Sequence, residues 1–376
     1  MNNLPLATLP VDWTYQQALE HEGSLRALMD ARGASPATMM ALARSMVGRC
    51  AYLSANKVGE EIINRWPEDD EQGFGLQCRV LTLSAAAHAG LQLAVESRIA
   101  DLASLGVSTR YAAEVLVRYG RESGLQPAAR DLLKMCLPFL EAGKASSDQA
   151  RTLVEGYAEA ASAATQVRLI SLGPGCYPWL QANRYMLRRV DEHDALMPFN
   201  LCVAVEAGIV TALEERFEGF FDPASFDLTT FMRGVPVARM RRYAMLFNHD
   251  CDSSLLDHDM AELRARCARQ AETFLSHACS LPRVFLCDMP VVANLHRLEK
   301  ALAGLMRDER YRLLILTRHA SENRELLLPS LATTRVVHLP TPSESYNWTL
   351  QDSTPEGIAL DLRMRRIVLD TMQELM

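Results

Sequence analysis

The sequence has few lysines and no basic cluster, and these absences narrow the range of partners. Lysine occurs only four times among 39 basic residues, and 46 acidic residues bring the formal net charge to −7. Proteins that bind a nucleic-acid backbone need a basic patch or stripe. We therefore expect no nucleic-acid partner. The arginine bias either reflects codon usage or favours recognition of carboxylate and phosphate groups.

Long apolar runs and paired cysteines are also missing. No stretch reaches the roughly 20 apolar residues that a membrane-spanning helix needs, and the first ten residues lack the basic region and apolar core of a secretory signal. The nine cysteines are scattered and odd in number, with no Cys-x-x-Cys pair. This pattern indicates free thiols in a reducing compartment. The sequence predicts a cytoplasmic protein without a membrane span.

The character of the chain changes near residue 165. Residues 12–165 show helical periodicity with almost no strand signal, whereas residues 166–376 alternate helical segments with short apolar runs. A chain of 376 residues is long enough for two domains with large cores. We predict an all-α domain over residues 1–165 and an α/β domain over residues 166–376.

The helices predicted for the first domain are short and closely spaced. Such a series is typical of an α-solenoid built from helix pairs, and the segment 65–69 resembles the end of a tetratricopeptide repeat. A plain helical bundle is an equal alternative. A solenoid would offer a concave surface to a protein partner, whereas a bundle would only cap the second domain. The predicted helices are 15–31, 36–53, 57–65, 74–89, 91–105, 109–120, 127–139 and 147–163.

The apolar runs of the second domain are short and continuous, which is typical of parallel strands covered on both faces. With right-handed crossovers they predict a three-layer, mostly parallel α/β sheet, whose ligands would bind at the carboxyl ends of the strands. We predict strands at 168–172, 244–247, 283–287, 311–317 and 334–339. We predict helices at 177–189, 203–215, 260–278, 295–307, 321–328 and 357–375, and an irregular stretch between 216 and 242.

The first predicted strand runs into a Gly-Pro-Gly turn and a cysteine. Gly173 and Gly175 can adopt backbone angles closed to other residues, and a helix is predicted to begin at Tyr177. A helix N-terminus lowers the pKa of a nearby thiol, and its amide groups can stabilise an oxyanion. Cys176 is therefore a candidate nucleophile. Two alternatives stay open: a turn that binds phosphate with its amides, and a structural turn beside a buried cysteine.

A second candidate segment is Phe247-Asn-His-Asp-Cys-Asp252. His249 could deprotonate a thiol, and Asp250 or Asp252 could orient its ring. The acidic residues that follow also suit magnesium, calcium or manganese. Because no complete set of ligands is visible, we predict no metal site, and the sequence indicates no particular cofactor.

Other polar residues are candidates for lining a substrate pocket. Arg184 and Arg188 share one face of the predicted helix at i,i+4 spacing and would attract an anion. Asn200 lies in an apolar loop, and Asn347 with Trp348 follows a proline-rich break near the last strand. With the turn residues, the predicted substrate-binding set is Gly173, Gly175, Tyr177, Arg184, Arg188, Asn200, Asn347 and Trp348.

Over residues 167–350 the chain resembles a bacterial family described as papain-like cysteine peptidases. Its members show Ser-Leu-Gly-x-x-Cys after a strand, then a helix with Leu-Arg, Pro-Phe-Asp-Trp and a His-Asp pair. Here Asn200-Leu201 stands where the family has Asp-Trp. The resemblance implies cysteine chemistry, and a sheet with a cysteine after its first strand also resembles surface-polysaccharide acyltransferases that bind coenzyme A. The matching segments are Ile170-Ser-Leu-Gly-Pro-Gly-Cys176, Leu187-Arg188, Pro198-Phe199-Asn200, Phe217 and Phe247-Asn-His-Asp250.

Three functions follow as hypotheses. The first is a cysteine-dependent hydrolase or acyl-transfer enzyme, with Cys176 as nucleophile and His249 as base, acting on a small molecule, a glycan or a peptide. The second is a nucleotide- or coenzyme-A-dependent transferase in surface glycan biosynthesis. The third is a non-enzymatic adaptor that binds a protein partner through the helical domain.

Overall fold

The computed structural model describes the second half of the chain most fully. Its longer continuous runs are residues 35–48, 52–66, 145–188, 197–200, 202–230, 236–249, 253–276, 281–289, 294–306, 310–317, 333–343 and 354–376. The described residues fall into two compact units. The first draws on residues up to 106 together with Phe226–Arg239 and Phe247–Leu263, and the second comprises the remainder.

The first unit contains two helices that pack against each other, α1 (Pro36–Gly48) and α2 (Tyr52–Arg65). Their apolar faces form a core cluster that includes Met39, Met46 and Ile62. At Gly59 on α2, a Cβ atom would lie only 2.1 Å from Oγ1 of Thr82, so the close approach requires glycine. Both helices were predicted from the sequence, the second beginning five residues earlier than expected.

Two strands that the sequence did not reveal contribute to the first unit. β3 (Phe226–Thr230) and β4 (Pro236–Met240) lie in the stretch predicted to be irregular, and that prediction is wrong. Asp227 and Arg239, one on each strand, form a bidentate ion pair with N–O distances of 2.9 and 2.6 Å. The alternation of apolar and polar residues on β3 is weak, because the apolar residue Leu228 is exposed. This explains why the sequence pattern did not predict the strand.

The second unit is built on a five-stranded sheet. Four strands are parallel and lie in the order β1 (Arg168–Gly173), β6 (Arg283–Asp288), β7 (Tyr311–Thr317) and β9 (Thr334–His338). β8 (Arg324–Leu326) pairs antiparallel with β9 at one edge. The predicted α/β class and the mostly parallel sheet are therefore confirmed. The helix predicted at 321–328 is wrong, because its centre forms β8.

Helices precede and follow these strands. In chain order, the remaining helices are α3 (Ala145–Val154), α4 (Tyr157–Gln166), α5 (Tyr177–Arg184), α6 (Glu206–Glu214), α7 (Glu218–Phe221), α8 (Ser253–Leu275), α9 (Leu295–Met306) and α10 (Pro355–Gln373). α8 is interrupted at Asp257–Met260, where three residues have positive φ. The N-terminal helices α3 and α4 group with the sheet, whereas the predicted boundary at residue 165 and the all-α character of residues 1–165 stay predictions.

Alternate residues of the sheet belong to different packing groups, as expected of strands with two buried faces. Val284 and Leu286 join one core cluster with residues of α4, α5 and α10. The intervening Phe285 instead contacts the rings of Phe274 on α8 and Tyr311, with centroid distances of 5.9 and 6.0 Å. Phe274 lies 5.0 Å from Phe217, which extends this aromatic group away from the sheet.

A short antiparallel pair of strands begins directly after Cys202, a residue of the candidate site described below. β2 (Val203–Ala204) pairs with β5 (Met245–Leu246), which confirms the short strand predicted there. β5 follows a 3-10 turn at Arg241–Tyr243, and α6 passes directly beside that turn. A Cβ atom at Gly208 would lie 1.8 Å from the carbonyl oxygen of Tyr243, so the crossing depends on glycine.

None of the helices in the described part of the chain combines the length and the apolar character that a bilayer crossing requires.

Gly208 and Gly304 provide opposite tests of the packing. Gly208→Ala should lower the free energy of unfolding by at least about 2 kcal/mol, because the methyl group meets backbone that cannot move away freely. Gly304 is exposed on α9, and a methyl group added there would meet nothing within 4 Å, so Gly304→Ala should raise stability by about 0.5–1 kcal/mol. Urea denaturation measures both changes in the free energy of unfolding. Equal effects of the two variants would contradict the close approach of α6 to the carbonyl of Tyr243.

Candidate functional site

The turn after β1 joins the carboxyl end of the sheet to α5. Gly173 has φ +83°, a left-handed conformation that favours glycine, and its N–H donates to Oγ of Ser171 at 3.3 Å. The N–H of Leu180 donates to the carbonyl of Cys176 at 2.9 Å and closes the first turn of α5. A Cβ atom on Gly175 would meet nothing within 4 Å. The turn therefore borders open space immediately before Cys176.

Cys176 is a buried residue in a small apolar cluster. Its residue surface is 7 % exposed, and its neighbours in this cluster are Trp179 and Leu180. Its thiol Sγ lies 3.9 Å from the carbonyl oxygen of Cys202. Three other described cysteines, Cys78, Cys267 and Cys287, are at most 1 % exposed. Position at the helix start distinguishes Cys176 from these buried thiols.

Residues 197–200 and 202–204 lie along the turn and the start of α5. Asn200 orients its side-chain oxygen towards the indole Nε1–H of Trp179 at 3.1 Å and the N–H of Met197 at 3.0 Å. Ala204 donates its N–H to the carbonyl of Pro174 at 3.0 Å. The side-chain amide of Asn200 therefore holds Trp179 in place, and the predicted role of Asn200 in lining a substrate pocket stays a prediction.

Trp179 is the residue of this site that sequence reasoning missed. It shares the cluster of Cys176, bonds Asn200, and lies beneath the guanidinium of Arg188, whose Cζ is 5.8 Å from the ring centroid. Three predicted site residues thus meet around one indole ring. The available signal was its spacing, since a side chain three residues after Cys176 lies on the same face of a helix.

Arg184 and Tyr177 serve a different purpose from the predicted one. Both bond Asp361 on α10, a carboxylate whose residue is 1 % exposed. Arg184 donates from Nη1 at 2.5 Å, Tyr177 from its hydroxyl at 2.8 Å and Gln181 from Nε2 at 3.0 Å. The side chain of Arg184 is therefore engaged in a buried ion pair. This engagement removes the basis for its predicted contact with an anionic substrate.

Tyr185, the residue directly after α5, adds a fourth donor, with its hydroxyl 3.5 Å from the Asp361 carboxylate. Burial, reinforced by the charge of Asp361, raises the pKa of Tyr185 far above its ordinary value, so the hydroxyl keeps its proton and can donate. The sequence did contain a sign of this network. Asp361 lies three residues from both Ile358 and Met364, on the apolar face of α10, where an acid needs a partner.

His249 belongs to the first unit and is half-buried. Its ring stacks on Tyr52 with a centroid distance of 6.3 Å and an interplanar angle of 21°. Asp250 and Asp252, predicted to orient this ring, lie outside the described residues, as does Trp348. Asn347 is exposed, and its N–H donates to Oε1 of Gln351 at 2.7 Å. The role of His249 as a base stays a prediction.

A second histidine lies at the carboxyl edge of the sheet. His338 ends β9, and its Nδ1 is hydrogen-bonded to the hydroxyl of Thr317 at the end of β7. Neighbouring strands are about 4.8 Å apart, and β9 is three strands from β1. The backbone of His338 is therefore about 14 Å from that of β1, too far for hydrogen bonding to Cys176.

Cys287, near the end of β6, is a fully buried thiol. Burial raises the pKa of the Cys287 thiol well above its usual value, and the charges of Asp288 and Glu206 add to the effect. Within the described residues, no three His, Cys, Asp or Glu side chains converge in a way that could hold a metal ion. The described residues around Cys176 offer a thiol, backbone amides and an indole ring.

Comparison of the chain with family models, with curated proteins and with solved structures gave no match.

Asp361→Ala tests the buried network. Removing the carboxylate leaves the Arg184 guanidinium buried without its partner, so the free energy of unfolding should fall by about 3–5 kcal/mol. Asp370→Ala, on the same helix, removes an exposed i,i+4 pair with Arg366 and should cost at most about 0.5 kcal/mol. Chemical denaturation compares the two, and a similar small loss in both would refute the role of Asp361.

Proposed function

We propose that this protein is a cysteine-dependent acyl-transfer enzyme or hydrolase with Cys176 as its nucleophile. The observation that carries the proposal is the position of this thiol. It lies at the junction between the carboxyl end of β1 and the start of α5, with open space beside Gly175. Ligands of parallel α/β sheets bind at this edge.

The start of α5 supplies groups suited to acyl chemistry. Amides in the first turn of a helix have no partner within the helix and carry partial positive charge. Pro178 has no N–H, which leaves the amides of Tyr177 and Trp179 as those beyond Cys176 in this turn. Such an environment favours a thiolate and stabilises an oxyanion formed beside it.

The proposed reaction has two steps. The base takes the thiol proton, and the Cys176 thiolate attacks the carbonyl carbon of an acyl donor. The tetrahedral oxyanion collapses to a thioester, and the protonated base returns the proton to the leaving group as it departs. Water or an acceptor nucleophile then attacks the thioester and releases Cys176 as thiolate. Attack by water gives hydrolysis, whereas attack by an acceptor gives transfer.

His249 is the proposed base on the sequence pattern alone, because an imidazole can take the proton of a thiol and a neighbouring carboxylate can orient its ring. Asp250 and Asp252 remain the proposed orienting carboxylates on sequence grounds alone.

The transferase alternative receives less support. Binding of a nucleotide or coenzyme A at the turn would use the arginines of α5 as phosphate ligands. Arg184 is engaged by Asp361, and Arg188 lies over the ring of Trp179. These contacts favour thiol chemistry over phosphate recognition.

We also infer that the sheet is the central layer of three. Support comes from the alternation on β6, where Val284 and Leu286 pack with α10 while Phe285 contacts Phe274 of α8. Burial on both faces requires cover on both faces. The predicted helical repeat of the N-terminal region remains a separate hypothesis.

Alkylation of the thiols across pH tests the nucleophile. The labelling rate of native Cys176 by iodoacetamide should reach half its maximum at least about one pH unit below that of the same cysteine in the urea-denatured chain. Comparing midpoints removes the effect of limited access. Cys78, whose pKa burial raises to about 11, and Cys287 should stay unlabelled in the native protein near neutral pH. Equal midpoints for native and denatured Cys176 would overturn the proposal.

A pair of histidine variants tests the base. His249→Ala should move the Cys176 labelling midpoint upward, because loss of the imidazole removes the proton acceptor and the charge that stabilises the thiolate. His338→Ala is the matched control and should leave the midpoint unchanged, since its strand is three positions from β1. An unchanged midpoint in both variants would exclude His249 as the base.

A further inference from the structure

A second cysteine lies opposite the proposed nucleophile. Three contacts join the segment 174–179 to Asn200 and residues 202–204, and they occur in opposite order along the two parts of the chain. Pro174 bonds Ala204, the Cys176 thiol faces Cys202, and Trp179 bonds Asn200. The two segments therefore run antiparallel, and Cys202 is the residue held directly against Cys176.

The two cysteines are close enough for a disulfide to form with a limited movement of the chain. Sγ of Cys176 lies 3.9 Å from the carbonyl oxygen of Cys202, and the two bonds between that oxygen and its Cα add at most about 2.8 Å. The distance from Sγ of Cys176 to its own Cα adds about as much again, so the two Cα atoms are at most about 9.5 Å apart. Bridged cysteines have Cα atoms about 4.4–6.8 Å apart, so the bridge requires rotation of both side chains and a backbone shift of at most about 3 Å.

Cys202 is well suited to react only with a neighbour. Its residue is 2 % exposed, and its thiol lies 3.7 Å from the carbonyl oxygen of Pro198. A buried thiol of this kind is shielded from reagents in solution, whereas a reactive group formed on Cys176 would already be beside it.

We propose that Cys202 is the resolving thiol of Cys176, and that oxidation joins them in a reversible disulfide that switches the site off. The inference rests on the proposed function in so far as the disulfide consumes the nucleophile. It adds a mode of regulation for the same site, and the evidence for it is the set of three contacts between the two segments.

The chemistry requires a hydroperoxide as oxidant. The Cys176 thiolate attacks the peroxide oxygen, which gives a sulfenic acid on Cys176 and an alcohol or water from the peroxide. The Cys202 thiolate then attacks the Cys176 sulfur, the S–S bond forms, and the sulfenic oxygen leaves as water. The two thiols together lose two electrons, which reduce the peroxide. A dithiol reductant reverses the reaction by thiol–disulfide exchange.

Peptide mapping of the full chain tests the proposal. After treatment with hydrogen peroxide, remaining thiols are blocked with N-ethylmaleimide and the protein is digested with trypsin. Cys176 and Cys202 are then the only cysteines of the peptides 169–184 and 190–216. We expect these two peptides to be cross-linked, and alkylation of Cys176 before digestion to fall more than tenfold and to recover with dithiothreitol.

Variants separate the resolving thiol from general oxidation. Cys202→Ala and Cys202→Ser should abolish the cross-link and let Cys176 proceed to sulfinic acid, because no thiol intercepts the sulfenic acid. Cys267→Ala, which removes an equally buried thiol on α8, should leave the cross-link intact. Sulfinic acid on wild-type Cys176 with no linked peptide would overturn the inference and leave the reactive nucleophile standing.

Copper-phenanthroline oxidation distinguishes the two proposals, because it joins neighbouring thiols whatever their reactivity. A linked peptide with this oxidant but not with peroxide would support the pairing and count against an activated Cys176. Failure of both oxidants to link the peptides would overturn the pairing, even where Cys176 alkylates readily.

Discussion

The candidate site depends on the hydrogen bonds that the buried carboxylate of Asp361 accepts. Three side chains of α5 and that of Tyr185, the residue after it, direct donors to this one residue of α10. Their spacing places all four on one face of the helix. A buried charge is stable only when its partners are fixed. The network therefore determines how α5 lies against α10, and with it the direction of the helix whose first turn follows Cys176.

The site itself is assembled from two segments that are distinct from the network. The turn after β1 brings the thiol and the amides, and the second segment brings the carbonyl of Cys202 and the side-chain amide of Asn200. Trp179 connects them, because its indole bonds Asn200 while its ring packs beside Cys176. Rigid support from α10 and a close second segment together give the thiol a defined environment, which general principles of site preorganisation require.

Much of the sheet could be read from the sequence, because strands buried on both faces appear as continuous apolar runs. The predicted strand at 168–172 differs by one residue from β1, and 311–317 coincides with β7. β8 was mistaken for a helix since a short apolar run fits either structure. In the site, the turn and Cys176 were visible from local pattern. The partner of Arg184 was not, because Asp361 lies 177 positions away and only tertiary packing joins them.

The order of the strands has a consequence for access. Each parallel strand lies beside the next in the chain, from β1 through β6 and β7 to β9, so among the described strands β1 forms an outer border of the sheet. The sulfur that follows β1 consequently has a neighbouring strand end on one flank only. In the proposed site, a substrate of Cys176 would also approach Asn200, whose amide holds Trp179 beside the cysteine. We therefore expect substitutions around Asn200, more than substitutions in the sheet, to change the specificity of the proposed enzyme.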